Sequence, residues 1–272
     1  MTELKKRRLG RTGLMVTELG LGAMDTPGSP EGTDTVRTAL DLGIDFIDTA
    51  REYRGSELLI GQVVRERAGA SFHIATKTFS HNINGSQRDV DRSLSMLGVE
   101  QIDLYQLHDI STEEAWAEVM SEEGALAGLK IARYRELIRY IGVSSHHLGL
   151  VERAITCGEF DTVMLEYSAF APESAPLIHL AHERDVGVIA MRPLGGSGRT
   201  SVMRGRMAEG YGGPLTPANL VRYVLSHPGV SVAIPGARYP SRIRDNVAVI
   251  SSYQPMGERG RRELEEEARR LY

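Results

Sequence analysis

The chain of 272 residues has a single cysteine, Cys157, so no disulfide can form within it. Cohesion has to come from packing, and the scarcity of thiols points to a reducing compartment, with the cytoplasm as the expected location. Long apolar runs are also missing: no stretch approaches the ~18 residues of a membrane span. The opening MTELKKRRLG is charged where a signal peptide would be apolar, so neither leader nor membrane anchor is expected. Neither sign of charge dominates: 32 Lys and Arg against 36 Asp and Glu leave a net −4, which offers no electrostatic reason to expect nucleic acid or an anionic membrane as partner. The basic run Lys5 to Arg8 is short and reads as a solvated edge strand.

With 41% hydrophobic residues the chain can bury a large core, and its length suits one barrel or two ordinary domains. Eight short apolar runs decide between them: residues 19–23, 45–50, 72–77, 104–108, 140–145, 162–167, 187–193 and 230–236. Most are continuous, as in strands covered on both faces. Helical patterns separate them. Ser86 with Asp89 three positions on reads as a cap for a helix carrying Val90, Leu94 and Leu97 and stopping at Gly98. Thr216 and Pro217 suit the cap and first turn of another, and Gly43, Gly69 and Gly158 fall where helices should end. Eight strand and helix alternations without a linker predict an α/β fold, a (β/α)8 TIM barrel forming a single domain over residues 1–272, rather than a doubly wound sheet. Arg7 to Leu9 and Leu14 to Thr17 flank a glycine-containing turn and read as an N-terminal β-hairpin closing the barrel floor. The tail ERGRRELEEEARRLY offers i,i+4 ion pairs and reads as an exposed terminal helix.

Three of the apolar runs deliver four polar side chains: Asp48 in FIDTA with Tyr53 just beyond it, Lys77 closing FHIATK and His108 closing LYQLH. In a barrel the carboxyl ends of the strands meet on one rim, so these groups should converge. A lysine beside a tyrosine lowers the phenol's pKa and makes it a competent proton donor. Asp48 would hold the ammonium charged, and His108 would hydrogen-bond a substrate carbonyl oxygen. Each residue alone could equally be a packed core residue or a loop cap. Together they point to carbonyl chemistry.

At this point the sequence resembles the aldo-keto reductase superfamily over nearly its whole length, through LGRTGLMVTELGLGAM, DTAREYRGSELLIG, IATK, LYQLH, IGVSS and the IPG segment. The resemblance implies a catalytic tetrad of Asp48, Tyr53, Lys77 and His108, with Tyr53 as general acid in reduction, and hydride transfer between a nicotinamide and a small-molecule carbonyl. It implies a cofactor site built from Gly22 and Ala23 after the first strand, Ser144 and Ser145 after the fifth, and Met164 on the sixth. Met191, Arg192, Pro193, Leu194 and Gly195 follow the seventh, and Gly236, Ala237, Arg238, Arg242, Asp245 and Asn246 the eighth. Arg242 matches the position that meets the 2′-phosphate of NADPH, and a guanidinium suits phosphate, so NADPH (NADP+) is favoured over NADH.

Three positions depart from the family pattern. Ser145 and Met164 stand where Asn and Gln commonly bond the nicotinamide carboxamide, and Met191 where an aromatic ring commonly stacks. Either cofactor binding is weaker than usual, or Glu166 or backbone groups bond the carboxamide instead. Residues 195–214 carry seven glycines and read as a lid or as loose chain. His146, His147, His179 and His182 lack partners at metal-ligand spacing, so no metal is expected. Two alternatives to an NADPH-dependent reductase remain: a class I aldolase with a Schiff base on Lys77, and an NADP(H)-sensing barrel with little turnover. Met24, Asp25, Phe79 and Trp116 are expected at the substrate pocket, and the sequence leaves the substrate itself and the oligomeric state open.

Overall fold

The computed structural model describes residues 4–67, 69, 71–196, 198, 199, 202, 205, 206 and 209–270. Lys6–Arg8 (β1) and Met15–Thr17 (β2) pair antiparallel around a turn that Gly13 completes at φ 70°. Eight parallel strands follow in sequence order: Leu21–Gly22 (β3), Phe46–Asp48 (β4), His73–Thr78 (β5), Ile102–Leu107 (β6), Ile138–Ser144 (β7), Thr162–Glu166 (β8), Gly187–Met191 (β9) and Val232–Ile234 (β10). All eight predicted runs are strands. The first and last meet through Gly20 N–H donating to Ala233 O at 2.9 Å and Gly22 N–H donating to Pro235 O at 3.1 Å, which brings the sheet close to a closed (β/α)8 barrel. Gly22 is required there, since a Cβ would sit 2.8 Å from Ile234 O.

Helices cover the outside: Pro30–Asp41 (α1), Ser56–Glu66 (α2), Ile83–Leu97 (α3), Glu113–Met120 (α4), Ala125–Tyr134 (α5), Leu148–Thr156 (α6), Ala175–Glu183 (α7), Pro217–Leu225 (α8), Pro240–Ile250 (α9) and Glu258–Arg270 (α10). Their apolar stripes and the outward strand residues form one continuous core. Inside the barrel lies a second apolar cluster: Phe46, Ala75, Leu104, Met164, Ile189, Val232 and Ile234 from the strands, packed on Leu9, Leu14 and Val16 from the hairpin. The hairpin therefore plugs the floor, as its sequence predicts. That apolar plug leaves the opposite, carboxyl end of the strands for polar side chains.

Some local expectations need correction. Helix α3 starts a turn early because Asn82 caps it, accepting from Gly85 N–H at 2.9 Å. Ser86 instead lies buried in the first turn and donates to Ile83 O, and Asp89 accepts from the Thr78 and Ser80 hydroxyls. Thr216 caps α8 as expected, accepting from Asn219 N–H at 3.2 Å, and Gly43, Gly69, Gly98 and Gly158 all take positive φ after helices. The basic run is not merely solvated. Arg7 donates to Leu225 O, His227 O and Val230 O and pairs with Glu18, satisfying carbonyls at and beyond the end of α8. Helix α10 is only partly exposed: it buries Leu264 and Ala268, and Tyr223 donates to Glu265 at 2.8 Å. Along it, i,i+4 ion pairs join Arg259 to Glu263 at 2.9 Å, Glu258 to Arg262 at 3.3 Å and Glu265 to Arg269 at 3.8 Å. Parts of the 195–214 segment, which reads as a lid or as loose chain, lie outside the described residues.

Candidate active site

Strand alternation builds the site layer by layer. Side chains two residues apart share a face, so the inward apolar residues Phe46, Ala75 and Leu104 place Asp48, Lys77 and Gln106 directly above them, with His108 above Gln106. Lys77 is fully buried. Its ammonium donates to Asp48 Oδ1 at 2.5 Å and to Thr49 O at 2.8 Å, and lies 5.1 Å from the centroid of the Tyr53 ring. Gln106 donates to the other Asp48 oxygen at 3.1 Å, which leaves its own Oε1 buried with no partner among the described residues. Burial pushes the Asp48 carboxyl up, while the Lys77 ammonium and the Gln106 amide favour the carboxylate.

Tyr53 reaches the rim from the β4–α2 loop. Its ring meets the His108 ring edge-on, with centroids 5.6 Å apart and planes at 81°. The expectation that Lys77 lowers the phenol's pKa is not met. Burial raises it well above the usual phenol value, and the Asp48 and Glu52 carboxylates reinforce the rise against Arg192. The physical reason is local pairing: the Lys77 charge is compensated by Asp48 in contact with it. Tyr53 is thus held protonated, the state from which a proton can be donated.

His108 is pinned on three sides. Phe79 stacks on it at 4.0 Å with planes 12° apart, Tyr53 meets it edge-on, and Glu52 Oε2 lies 3.3 Å from Nδ1. Phe79, exposed and stacked on the imidazole, offers an apolar wall there, and Met24 is exposed in the turn after β3. Trp116 does not. It is buried on α4 against Phe160 beneath the Arg153 guanidinium, because the apolar face of α4 turns it into the core.

The expected cofactor residues lie on the same carboxyl rim, at the ends of β3 and β7 to β10. Gly22 and Gly236 face each other across the closing seam, Ala23 and Ala237 are buried beside them, and Arg238 lies 3.7 Å from Asp25. The Ser144 hydroxyl accepts from Asp109 N–H at 2.8 Å, and that of Ser145 accepts from His147 N–H at 3.0 Å. Met164 belongs to the inner apolar layer, with Glu166 above it at the strand end. That carboxylate is held by Arg192 and Arg199, each at 3.1 Å, so it is already committed to cations. Met191 packs half-buried on the inner cluster, and Arg192, Pro193, Leu194 and Gly195 turn away from β9 with Arg192 at φ 53° and Gly195 at φ 87°. On α9, Arg242 and Asp245 are exposed and 3.7 Å apart, and Asn246 is buried.

A nicotinamide dinucleotide suits these residues. Arg238 and Arg242 are exposed and can take a phosphate, and Gly195 and Gly196 take positive φ in the turn after β9, where Gly195 N–H donates to Arg192 O at 2.7 Å. A metal has less support: among the described residues no three His, Cys, Asp or Glu side chains are grouped to hold one. His147 instead caps α6, and His179 pairs with Glu183.

A sequence model described as the aldo/keto reductase family matches residues 18–255. The chain belongs to that family. An oxidoreductase of Bacillus subtilis is 25% identical over 90% of this chain and 90% of its own length, and the L-galactose dehydrogenase of Arabidopsis thaliana 26% identical over 94% and 91%. A solved aldo-keto reductase of Bacillus halodurans superposes with a TM-score of 0.79 over 97% of this chain and 96% of its own, and at 23% identity that likeness speaks for the fold. Two further relatives differ in the cofactor they are named for. An aldo-keto reductase of Schizosaccharomyces pombe, 29% identical over 65% of this chain and 56% of its own length, is named for NADP(+). A methylglyoxal reductase of Escherichia coli, 27% identical over 68% and 65%, is named NADH-specific. Family membership therefore carries a nicotinamide cofactor and a small carbonyl substrate, and leaves the choice of cofactor open.

Two site residues escape sequence reasoning. Gln106 was legible in principle, as an amide two residues before His108 on the inward face of LYQLH. Glu52 carried no signal, because its contacts to His108 and Phe79 depend on how three strand ends meet.

Proposed function

We propose that this aldo/keto reductase reduces an aldehyde or ketone to an alcohol with NADPH, with Tyr53 as the general acid. The observation that carries the reading is the buried Lys77–Asp48 pair with its ammonium 5.1 Å from the Tyr53 ring, and His108 beside the same phenol. A nicotinamide held by the residues at the ends of β7 to β10 would supply hydride to the carbonyl carbon. Tyr53 donates its hydroxyl proton to the carbonyl oxygen, and His108 fixes the direction of that oxygen. Lys77 then lies 5.1 Å from a ring that acquires negative charge, and Asp48 with Thr49 O keeps the ammonium in place. Arg242 and Arg238 support NADPH, since both are exposed guanidinium groups beside the β10–α9 turn. A Schiff base on Lys77 is disfavoured, because its nitrogen is buried and donates to a carboxylate and a carbonyl.

The test is oxidation of NADPH and of NADH across a panel of aldehydes and ketones, 4-nitrobenzaldehyde among them, with Tyr53→Phe alongside. Loss of the general acid should lower kcat by about 10²–10⁴-fold with cofactor binding kept. Activity that survives Tyr53→Phe removes Tyr53 from the role, and binding without turnover by the parent supports a sensor.

A further inference from the structure

We propose that Glu52 is a positioning residue for His108: its carboxylate holds a proton on Nδ1 of the imidazole and so decides what Nε2 presents to the substrate. The proposal rests on the reading of His108 as the group that orients the carbonyl. Glu52 bridges two strand ends, its Oε1 accepting from Phe79 N–H at 3.2 Å and its Oε2 facing His108 Nδ1 at 3.3 Å. A carboxylate can only accept, so Nδ1 carries the proton. The same contact with Phe79 fixes the residue whose ring covers one face of the imidazole at 4.0 Å. His108 N–H also donates to Thr78 O at 2.9 Å, so both backbone and ring are tied.

The chemical consequence follows from the two nitrogens being distinct. With Nδ1 protonated, Nε2 can donate to a carbonyl oxygen only as part of an imidazolium. In the neutral ring with that tautomer, Nε2 is an acceptor. The other charged groups on this rim are Asp48 at the end of β4, with Lys77 in contact with it, and His146 and Arg192 after β7 and β9. Glu52 is the carboxylate in contact. Glutamine cannot replace it fully, because one end of an amide would present N–H groups to a donor.

Imidazole nitrogen–proton spectra of the full-length ¹⁵N-labelled protein test this, with His108 assigned by its absence from His108→Asn. The parent should show His108 protonated at Nδ1. Glu52→Ala should shift the proton toward Nε2, with Glu52→Gln in between. A parent His108 that is bare at Nδ1, or a protonation pattern unchanged in Glu52→Ala, overturns the proposal. In turnover, both variants should lose roughly tenfold in kcat with cofactor affinity unchanged, and a loss confined to KM counts against a positioning role. If the parent turns over no carbonyl, the reductase reading fails, while the spectra still report whether Glu52 sets the tautomer.

Discussion

Replacing Asp48 with asparagine keeps the size of a buried side chain and removes its charge. Lys77 is fully buried, with its ammonium 2.5 Å from Asp48 Oδ1 and 2.8 Å from Thr49 O. At that separation and an effective dielectric near 20, the Coulomb attraction is about 7 kcal/mol. Most of it offsets the cost of taking two ions out of water, and removing one partner from a buried pair costs about 3–5 kcal/mol. Gln106 limits further damage. Its Oε1 is unpartnered, so a flip of its amide lets that oxygen accept from the new side-chain N–H. Urea unfolding, in which added ions do not screen the charges, should therefore show a loss of about 4 kcal/mol at neutral pH. The loss should shrink as pH rises, since a deprotonated Lys77 needs no counter-charge. With the ammonium unpaired, the unfolded variant binds more protons than the folded one, and stability then increases with pH. A loss below about 1 kcal/mol, or one that is the same at neutral and alkaline pH, refutes the reasoning.

Arg242→Ala should weaken NADPH binding about tenfold to a hundredfold, as expected for a lost charge-assisted phosphate contact, and leave NADH binding unchanged in a fluorescence titration. Equal losses for both cofactors count against a 2′-phosphate role, and sub-micromolar NADPH binding by the parent counts against a site weakened by Met164. His227 provides a pH test of the fold. It is 9% exposed, its Nδ1 accepts from Gly229 N–H at 3.2 Å, and burial with the nearby Arg261 charge lowers its pKa from 6.5 to about 4. The folded state resists a proton that the unfolded chain takes up, so this contribution is present above pH 6.5 and is lost as pH falls toward 4. His227→Asn should flatten the stability profile in that window, and parallel profiles for parent and variant refute it.

The barrel was legible because its signal is collective. Eight largely apolar runs of five to seven residues, each followed by a stretch of helical period, admit few arrangements, and the hairpin announced itself through Gly13 between two short patterned segments. Boundaries were less legible where two residues competed for one role. Ser86 and Asp89 have the spacing of a capping box, yet Asn82 lies four residues upstream and takes the cap, leaving Ser86 to pack against Gly128 of α5. The terminal helix misled for a similar reason. Its charges dominate the pattern, while the two residues that dock it, Leu264 and Ala268, are a small share of the segment.

The site divides along the same physical line. Asp48 and Lys77 sit on strands and His108 directly follows one, where period two fixes their direction, so their convergence follows from the fold. The electrostatics that govern Tyr53 do not follow from residue types. Lysine and aspartate beside a phenol pull its pKa in opposite directions, and their contact at 2.5 Å makes the lysine a compensated charge, leaving burial to dominate. Glu52 extends the point. In sequence it is one acidic residue in a loop, but in space it bridges the ends of β5 and β6 and faces the imidazole at 3.3 Å. A family motif specifies which groups are present at such a rim. Which proton each one carries depends on neighbours that the motif does not include.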